Sequence, residues 1–241
     1  MKAMIFAAGL GTRLRPITDT IPKALVPVGG VPMLERVITK VRDAGISGIV
    51  VNAHHFSEKI DDFLRNNDFG VKVDVSVEQP EPLETGGGIK RAEKFLKGDR
   101  FLVHNADILS DADLKRLIEN AREDALATLL VSKRETTRYL LFDDGMRLVG
   151  WTNVQTGEVK SPYPDFKPEK YHRYSFSGIH VISDEVFAIM SDWPDKFSIV
   201  DFYLENASKY GIFGVVQDNL HLIDVGSPER LAEAERLYST I

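Results

Sequence analysis

The chain has 241 residues, of which 43% are hydrophobic and 27% are charged, values that are ordinary for a globular protein with a sizeable core. The formal net charge is −6, which disfavours binding to nucleic acid through a general surface field. The chain contains no cysteine, so disulfide bonds and cysteine-ligated metal sites are excluded. We therefore expect any anionic ligand to be held by a few local cations.

The start of the chain lacks the pattern of a secretion signal. Lys2 precedes an apolar run that ends at Ala8 and enters a glycine-rich turn. This run is too short for the hydrophobic region of a signal peptide. No later stretch approaches the about 20 apolar residues that span a bilayer. We therefore expect a cytoplasmic protein that has neither a membrane nor a nucleic acid as its partner.

The first stretch with chemical character follows a predicted strand. The apolar run Ala3–Ala8 is expected to be a buried strand, and the glycine-rich turn Gly9–Arg13 follows it directly. A strand that ends in such a turn presents several backbone N–H groups at one point, where phosphate oxygens bind. Arg13 adds a planar fork for phosphate, and Lys23 adds a point charge. We expect a phosphate-binding loop, with a plain strand and turn carrying two surface cations as the alternative.

Two common phosphate-binding motifs do not fit this loop. The Rossmann dinucleotide motif needs a third glycine where Leu14 stands, and the Walker motif needs a lysine directly after Gly11. The pattern that fits is G-x-G-T-R-L-x-P-x-T followed by P-K-A-L. It resembles the N-terminal motif of the sugar-1-phosphate nucleotidyltransferases. A later stretch, P-L-E-T-G-G-G-I, looks most like the small N-acetylmuramate-1-phosphate uridylyltransferases of that family.

The hydrophobic pattern of the first half alternates between strands and helices. Buried strands are predicted at 49–51 and 101–103, and a half-exposed, edge-like strand at 71–77. Such alternation is typical of an α/β fold with a doubly wound, mostly parallel (Rossmann-like) mixed sheet and helices on both faces. The resemblance implies the glycosyltransferase-A-like nucleotidyltransferase version of this fold. His104 and His180 are expected to pack within the sheet.

Capping signals and periodicity mark the other predicted elements. In the first half, helices are expected over 33–41, from Ser57 as N-cap, after Gly86–Gly88, and from Ser110 with Asp113. In the second half the predicted elements are a strand at 127–131, a hairpin of 139–142 with 146–151, a strand at 174–182, helices at 183–191 and 198–209, a strand at 212–217, and a last helix capped by Ser227. Residues 1–241 are interpreted as one domain, with a nucleotide-binding part over about 1–125 and an acceptor-binding part over about 126–241.

Three polar segments of the first half are expected to form one cleft. Ligands of doubly wound sheets bind beyond the carboxyl ends of the strands. The segments Gly9–Arg13, Glu78–Thr85 and Asn105–Asp107 each follow a predicted strand. We expect the loop Gln79–Gly87 to recognise the base through amides, with glycine allowing the ring to approach closely. The alternative for this loop is a flexible connection.

Two aspartates are candidate metal ligands. Asp107 follows a buried strand, and Asp224 closes a late one. With substrate phosphate oxygens and water, two carboxylates suit an octahedral Mg²⁺ site, whereas a helix cap or a solvated loop residue is the alternative on spacing alone. The resemblance favours the metal, because Asn105-Ala106-Asp107 and Asp224-Val225-Gly226-Ser227 match family motifs whose aspartates hold the catalytic ion.

The resemblance also implies a reaction. A nucleoside monophosphate is transferred from a nucleoside triphosphate to a sugar 1-phosphate, with UTP and N-acetylmuramate 1-phosphate as the favoured pair. Catalysis is assigned to Arg13, Lys23 and Asp107. The expected nucleotide-binding residues are Ala8, Gly9, Gly11, Thr12, Arg13, Lys23, Gln79, Thr85, Gly86 and Asn105. The expected acceptor-binding residues are Asn153, Ser177 and Gly178.

Other readings of the same motifs stay open. Mannose-1-phosphate guanylyltransferases, heptose-phosphate enzymes and phosphocholine cytidylyltransferases are close relatives of the favoured enzyme. A nucleotide-binding regulatory subunit without turnover is the alternative of another class. Such a subunit would be expected to lose Arg13, Lys23 or one metal aspartate, and this chain keeps all of them.

The chain departs from the family pattern after its central hairpin. The family's F-x-E-K-P, whose lysine contacts the acceptor phosphate, is replaced by Gly150–Asn153. The segment 152–172 that follows has little periodicity, and long irregular connections are usually functional or disordered. Its aromatic residues Tyr163, Phe166 and Tyr171 are expected to cover the sugar, with a mobile surface loop as the alternative.

Overall fold

In the computed structural model, which describes residues 1–238, a mixed ten-stranded sheet carries helices on both faces. Two small two-stranded sheets, β2 with β3 and β7 with β14, lie outside it. The strands are β1 (Lys2–Phe6), β2 (Pro27–Val28), β3 (Val31–Pro32), β4 (Ile49–Ala53), β5 (Val73–Val77), β6 (Phe101–Asn105), β7 (Ile108–Ser110), β8 (Ala127–Ser132), β9 (Arg138–Phe142), β10 (Leu148–Asn153), β11 (Val159–Lys160), β12 (His172–Ile182), β13 (Ile212–Val216) and β14 (Leu222–Asp224).

The helices lie mostly between the strands, as the alternating pattern predicts. They are α1 (Met33–Asp43), α2 (Ser57–Arg65), α3 (Glu84–Arg91), α4 (Glu93–Leu96), α5 (Leu114–Glu119), α6 (Val186–Met190), α7 (Ile199–Asn206) and α8 (Pro228–Tyr238). Short 3-10 turns occur at Thr12–Leu14, Ile17–Asp19, Lys23–Leu25 and Pro168–Lys170. Within residues 1–238, no helix has the length and apolar character needed to cross a membrane.

The part of the sheet formed by the early strands is parallel. β1 lies between β4 and β6, and β5 pairs with β4 at the edge. All five residues of β4 are buried, because protein covers both faces of this inner strand. β5 is mostly half-buried, as expected of a strand at the edge. The predicted fold class is therefore confirmed in this part of the chain.

The long strand β12 joins the early and late parts of the sheet. It runs antiparallel to β6, β8 and β9, while β13 pairs with β8 in parallel. The β12 ladder is irregular between Phe176 and His180, and Gly178 there has a φ of +75°. This left-handed conformation is accessible to glycine without steric cost. The predicted hairpin that precedes β12 is confirmed as β9 and β10.

Two hydrophobic cores lie on opposite faces of the sheet. One lies under α1, α2 and α5, with Ile60 and Leu117 among its buried members. The other lies under α3, α4, α6 and α7, with Ile89 and Phe202 fully buried. Burial of each such large side chain contributes about 1.5–3 kcal/mol. A smaller cluster around Ala234 attaches α8 next to β2 and β14.

The glycine run Gly86–Gly88 lies inside α3, whereas the sequence pattern predicts it before the helix. A Cβ atom at Gly86 would lie 2.2 Å from the ring of Phe197, and one at Gly87 would lie 2.0 Å from the carbonyl oxygen of Asp195. The glycines therefore allow α3 to pack directly against a remote segment. This close packing outweighs the low helix propensity of glycine.

The predicted helix starts are confirmed in part. Ser57 is the first helical residue of α2 and not its N-cap. Ser110 belongs to β7, so Asp113 alone caps α5 by accepting a hydrogen bond from the first turn. At the last helix, the Ser227 hydroxyl oxygen lies 3.4 Å from the backbone nitrogen of Arg230, which confirms the predicted cap. The two corrected positions share one cause, because a neighbouring strand or turn takes the residue that local spacing favours.

Two buried histidines lie in the middle of the sheet, as predicted. His104 and His180 are 0% and 1% exposed. Nδ1 of His104 lies 2.8 Å from the carbonyl oxygen of Asn105, while neither ring nitrogen of His180 has a hydrogen-bond partner among the described residues. Burial lowers the pKa of His104 from 6.5 to about 4 and that of His180 to about 3. Both rings are therefore neutral in the folded protein at pH 7.

We expect the free energy of unfolding to fall as the pH is lowered from 6.5 towards 5. In this window the unfolded chain takes up protons at both histidines and the folded chain does not, because the folded pKa values are lower. Each histidine then costs about 1.4 kcal/mol per pH unit. Denaturant unfolding at pH 7.5, 6 and 5 measures this slope.

The variant His104→Gln should show a shallower slope, because it removes one of the two titrating groups. The control is His55→Gln, which replaces an exposed ring that forms no ion pair among the described residues. A stability that does not change between pH 7 and 5 would contradict the neutral state of the two buried rings.

Candidate active site

The glycine-rich turn after β1 is held in shape by a residue further along the chain. Gly11 has a φ of +64°, and a Cβ atom there would lie 2.9 Å from Cγ2 of Thr18. The Thr18 hydroxyl donates to the Gly11 carbonyl oxygen at 2.8 Å. Glycine is therefore required both by the left-handed backbone and by the close approach of Thr18. The 3-10 turn Thr12–Leu14 follows and leaves Arg13 exposed.

An ion pair connects a later turn of the N-terminal segment, Lys23–Leu25, to the segment that follows β6. Nζ of Lys23, from the 3-10 turn Lys23–Leu25, donates to Oδ2 of Asp107. Both side chains are largely covered, with 12% and 25% of their surface exposed. Lys23 therefore lies beside Asp107, the last residue of the third polar segment.

Asp107 and Asp224 lie side by side although they are far apart in the sequence. The antiparallel pairing of β7 with β14 sets Asp224 opposite Ile108, and the Val225 N–H donates to the Asp107 carbonyl oxygen at 2.9 Å. Arg13 reaches the same place, since a Cβ atom at Gly226 would lie 2.6 Å from its Nη2. Two carboxylates and two cations from four separate segments thus meet at the carboxyl end of β6.

Burial and the neighbouring carboxylate together determine the electrostatics of Asp224. Asp224 opens to the cleft on one side, yet burial of its other side raises the pKa of its carboxyl group, and the charge of Asp107 raises it further. Lys23, Arg13 and Arg134 oppose these effects. The raised pKa means that the protein alone leaves the negative charge of Asp224 incompletely compensated.

These residues fit a divalent cation of the Mg²⁺ type. Mg²⁺ is usually held by one or two carboxylates and takes its other ligands from substrate phosphates and water. Among residues 1–238 there is no cluster of three or more histidine, aspartate or glutamate side chains that could enclose a metal. A pair of adjacent carboxylates open to a cleft is therefore suited to an ion that arrives with a phosphate ligand.

An inner cavity of about 220 Å³ lies beside this cluster. It is lined by Phe6, Ala7, Ala8, Gly9, Lys23, Ala24, Asn52, Glu78, Pro82, Glu84, Thr85, Asn105, Ala106 and Asp107. These residues lie at the carboxyl ends of β1, β4 and β6 or in the segments that follow the parallel strands. The second polar segment, Glu78–Thr85, therefore meets the other two here.

Two further cavities continue from the inner one. A central cavity of about 350 Å³ shares Thr85 and Asn105 with it and includes Asp224. An outer cavity of about 480 Å³ shares Arg134 and Phe176 with the central one. The three cavities therefore form a continuous groove, with the aspartate pair near the junction of the inner and central parts.

The family of the chain is decided by its match along almost the whole length. The sequence profile of the nucleotidyl transferase family matches residues 2–239. The chain belongs to this family. The nucleotidyl transferase is 30% identical over 229 residues to the D-glycero-alpha-D-manno-heptose 1-phosphate guanylyltransferase of Campylobacter jejuni, with 95% of this chain and 96% of that protein covered.

Two other comparisons agree with this family. The transferase is 42% identical over 122 residues to the N-acetylmuramate alpha-1-phosphate uridylyltransferase of Neisseria meningitidis, with 50% of this chain and 53% of that protein covered. The crystal structure of HddC from Yersinia pseudotuberculosis complexed with GMP-PN has a TM-score of 0.76 and 27% identity, over 98% and 99% of the two chains. The predicted resemblance to the sugar-1-phosphate nucleotidyltransferases is confirmed, and the chain is an enzyme.

The structure of the transferase brings together most of the residues expected to bind the nucleotide. Ala8, Gly9, Lys23, Thr85 and Asn105 line the inner cavity. The loop residues Gly11, Thr12 and Arg13 lie next to it in the turn after β1. Two expected residues lie elsewhere: Gln79 is exposed outside the cavity lining, and Gly86 is buried against Phe197.

The expected acceptor residues line the other two cavities. Ser177 and Gly178 line the central cavity, and Asn153 lines the outer one. The Ser177 hydroxyl donates to the Leu130 carbonyl oxygen at 2.8 Å, so it also fixes the irregular part of β12. A Cβ atom at Gly178 would lie 2.9 Å from Nδ2 of Asn105. Glycine therefore lets β12 approach the end of β6, where the inner and central cavities meet.

The aromatic residues of the segment 152–172 do not line any of the three cavities. Phe166 stacks on Tyr171 with ring centroids 4.7 Å apart and lies against Gly150. The Tyr163 hydroxyl lies 3.4 Å from the carbonyl oxygen of Ala207. The segment is also less irregular than the sequence indicates, since it contains β11 and a 3-10 turn. Its rings pack on their own hairpin and α7, contrary to the expectation that they cover the acceptor.

The buried polar side chains of Asn52 and Glu78 line the inner cavity, and no motif in the sequence marks them. Oδ1 of Asn52 accepts from the Ala7 N–H at 2.7 Å, and its Nδ2 donates to Oε1 of Glu78 at 2.6 Å. Oε2 of Glu78 accepts from the Leu83 N–H at 2.8 Å. Glu78 is only 1% exposed. The available signal was position, because Asn52 is the second-last residue of β4 and Glu78 follows β5, at the same edge of the sheet as Asp107.

We expect Glu78→Gln to lower both stability and nucleotide binding. The amide group cannot accept hydrogen bonds at both positions, so a buried N–H of Asn52 or Leu83 loses its partner at a cost of about 1–3 kcal/mol. Denaturant unfolding and nucleotide titration measure the two effects. The control is Glu81→Gln on the same loop, whose exposed carboxylate pairs with Lys196 and should change neither quantity much. Wild-type stability in Glu78→Gln would contradict this role.

Proposed function

We propose that the transferase moves a nucleoside monophosphate from a nucleoside triphosphate to a sugar 1-phosphate and releases pyrophosphate. The observation that carries the proposal is the meeting of Arg13, Lys23, Asp107 and Asp224 where the inner and central cavities join. A reaction between two phosphate groups needs positive charge and a metal site at the point where the groups meet.

We assign the nucleotide to the inner cavity and the acceptor to the central and outer cavities. The inner cavity is lined only by residues 6–107, and the outer one only by residues 134–204. This distribution supports the division into a nucleotide-binding part over about 1–125 and an acceptor-binding part over about 126–241. The central cavity draws on both parts, as a site of group transfer between two substrates requires.

The chemical step follows from the acceptor's own charge. The second pKa of a phosphate monoester is about 6, so the attacking oxygen is ionised at neutral pH without a general base. This oxygen attacks the α-phosphorus, the bond from the α-phosphorus to the bridging oxygen breaks, and pyrophosphate leaves. Arg13 holds the outer phosphates, and Lys23 neutralises the charge at the α-phosphate. Alignment and charge neutralisation thus account for the rate.

We assign Mg²⁺ to the pair Asp107 and Asp224. When bound, the ion supplies the charge that neutralises the two reacting phosphates. Lys23, which contacts Asp107, is then close enough to the same phosphates to share this task. The two aspartates are fixed by backbone hydrogen bonds of β7 and β14, so the site is formed before substrate arrives.

We infer that the favoured substrates are UTP and N-acetylmuramate 1-phosphate, with the reaction in the cytoplasm. The support is the stretch P-L-E-T-G-G-G-I, whose Pro82, Glu84 and Thr85 line the inner cavity, and the 42% identity over 122 residues with the Neisseria meningitidis uridylyltransferase. GTP with a heptose 1-phosphate is the second candidate, favoured by the relative from Campylobacter jejuni that covers 95% of the chain.

A substrate panel tests the proposed function. The protein is incubated with Mg²⁺, each of the four nucleoside triphosphates and a set of sugar 1-phosphates, while pyrophosphate release is followed. We expect release that depends on both substrates and is fastest with UTP and N-acetylmuramate 1-phosphate. Faster release with GTP and a heptose or mannose 1-phosphate would support the second candidate. No acceptor-dependent release with any pair would overturn the proposal.

We expect Asp107→Ala and Asp224→Ala each to lower kcat by about 1000-fold or more while the fold is kept. Each change removes one of the two carboxylates that hold the metal between two polyanions. The control is Asp62→Ala, an exposed carboxylate of α2. Wild-type turnover in the presence of EDTA, or an Asp224→Ala enzyme of normal rate, would remove the metal role.

The two loop cations should have different effects when they are replaced. Lys23→Ala should lower kcat more than nucleotide affinity, because the charge it faces is redistributed in the transition state. Arg13→Ala should lower both, because the charge on the outer phosphates is present in the ground state as well. Steady-state kinetics with nucleotide titration separate the two cases. If Lys23→Ala raised only the KM for nucleotide, the assignment of Lys23 to the α-phosphate would be wrong.

A further inference from the structure

A dianionic acceptor has to enter a groove that already contains two carboxylates. On the proposed function, the acceptor phosphate stops beside Asp107 and Asp224, on their central-cavity side. Lys23 and Arg13 lie on the loop that borders the inner cavity and serve the nucleotide. The acceptor phosphate therefore needs a cation of its own, from the part of the groove that the acceptor enters.

Arg134 has the position that such a cation requires. It follows β8 and lines both the central and the outer cavities. No other lysine or arginine of the described residues lines the central cavity. Arg134 also lies close enough to Asp224 for each charge to affect the pKa of the other group. It thus stands between the aspartate pair and the wider end of the groove.

The guanidinium of Arg134 is held by a hydrogen bond but forms no ion pair with a carboxylate of the described residues. Its Nη2 donates to the Ser175 hydroxyl oxygen at 3.0 Å. Within residues 1–238, no carboxylate oxygen lies within 4.0 Å of a guanidinium nitrogen of Arg134, the limit for an ion pair. Burial lowers the pKa of Arg134, and the neighbouring charge of Arg230 lowers it further. Asp224, from beyond ion-pair distance, and Tyr139 oppose these effects. An anion that binds next to this half-buried cation therefore stabilises it.

The other cations of the groove are placed less well for a phosphate. Lys160 lines only the outer cavity, and its Nζ lies 3.0 Å from Oδ1 of Asp201 and 5.4 Å from the ring of Trp151. Arg138 lines only the outer cavity and is exposed. The neutral Asn153 has its Oδ1 occupied by the N–H of Gln155 at 3.0 Å.

We propose that Arg134 binds the phosphate of the sugar 1-phosphate and holds it in line with the α-phosphorus. Ser175 occupies one Nη2 hydrogen, which leaves other N–H groups of the fork free for two phosphate oxygens. The sugar ring then extends into the outer cavity, where Trp151 provides an apolar wall. Arg134 thus replaces the lysine that contacts the acceptor phosphate in the family pattern and that is missing from Gly150–Asn153.

Steady-state kinetics of Arg134→Gln with both substrates varied test this assignment. We expect the KM for the sugar 1-phosphate to rise by about 10- to 100-fold, as for loss of a hydrogen-bonded charge pair, and the nucleotide Kd to stay within about twofold. Arg134→Lys should recover part of the loss, because it restores the charge but not the fork. The control is Lys133→Gln, an exposed neighbour that lines none of the cavities and should behave as wild type.

Each alternative outcome has a distinct meaning. If Arg134→Gln keeps the wild-type KM for the sugar 1-phosphate, or if Lys160→Gln raises it instead, the inference is overturned and the proposed function stands. If the wild type uses no sugar 1-phosphate, the proposed function fails and the inference falls with it. Should Arg134→Gln not fold, Ser175→Ala replaces it, because it frees the guanidinium without removing charge. That variant should raise the acceptor KM by about 2- to 10-fold, and no rise would overturn the inference.

Discussion

The proposed active site depends on the pairing of two three-residue strands, β7 and β14, which lie outside the main sheet. This pairing holds Asp107 beside Asp224, and their mutual repulsion contributes to the raised pKa of Asp224. Lys23, Arg13 and Arg134 surround the pair without fully compensating it. The fold therefore keeps an electrostatic imbalance at one point, and we propose that a divalent cation bound with a phosphate relieves it.

The main sheet arranges the groove around this point. Its parallel part contributes the glycine-rich turn, the buried Asn52–Glu78 pair and the end of β6, which together border the inner cavity. The antiparallel strand β12 crosses from β6 to β9 and carries the bulge at Gly178 to within contact of Asn105. The strand direction in the sheet thus changes where we propose that the nucleotide side of the groove meets the acceptor side.

Much of this arrangement follows from local sequence pattern. The parallel strands, the hairpin β9–β10 and the meeting of Gly9–Arg13 with Asn105–Asp107 depend on periodicity and on strand ends, which neighbouring residues determine. The features that were not predicted depend on partners far away in the sequence. Gly86 lies inside a helix because Phe197 packs against it. Phe166 lies outside the groove because its ring packs against Gly150 and stacks on Tyr171. Arg134 carries no local motif, and only the assembled groove shows its position.

The central claim is that an acceptor phosphate oxygen attacks the α-phosphorus directly in this groove. Phosphorus-31 NMR of one incubation tests it, with Mg²⁺, the nucleoside triphosphate and a sugar 1-phosphate whose non-bridging phosphate oxygens carry oxygen-18. Direct attack predicts unlabelled pyrophosphate and a nucleoside diphosphate sugar in which oxygen-18 bridges the α- and β-phosphorus atoms. An unlabelled bridge, or products that are only a nucleoside diphosphate and inorganic phosphate, would contradict it.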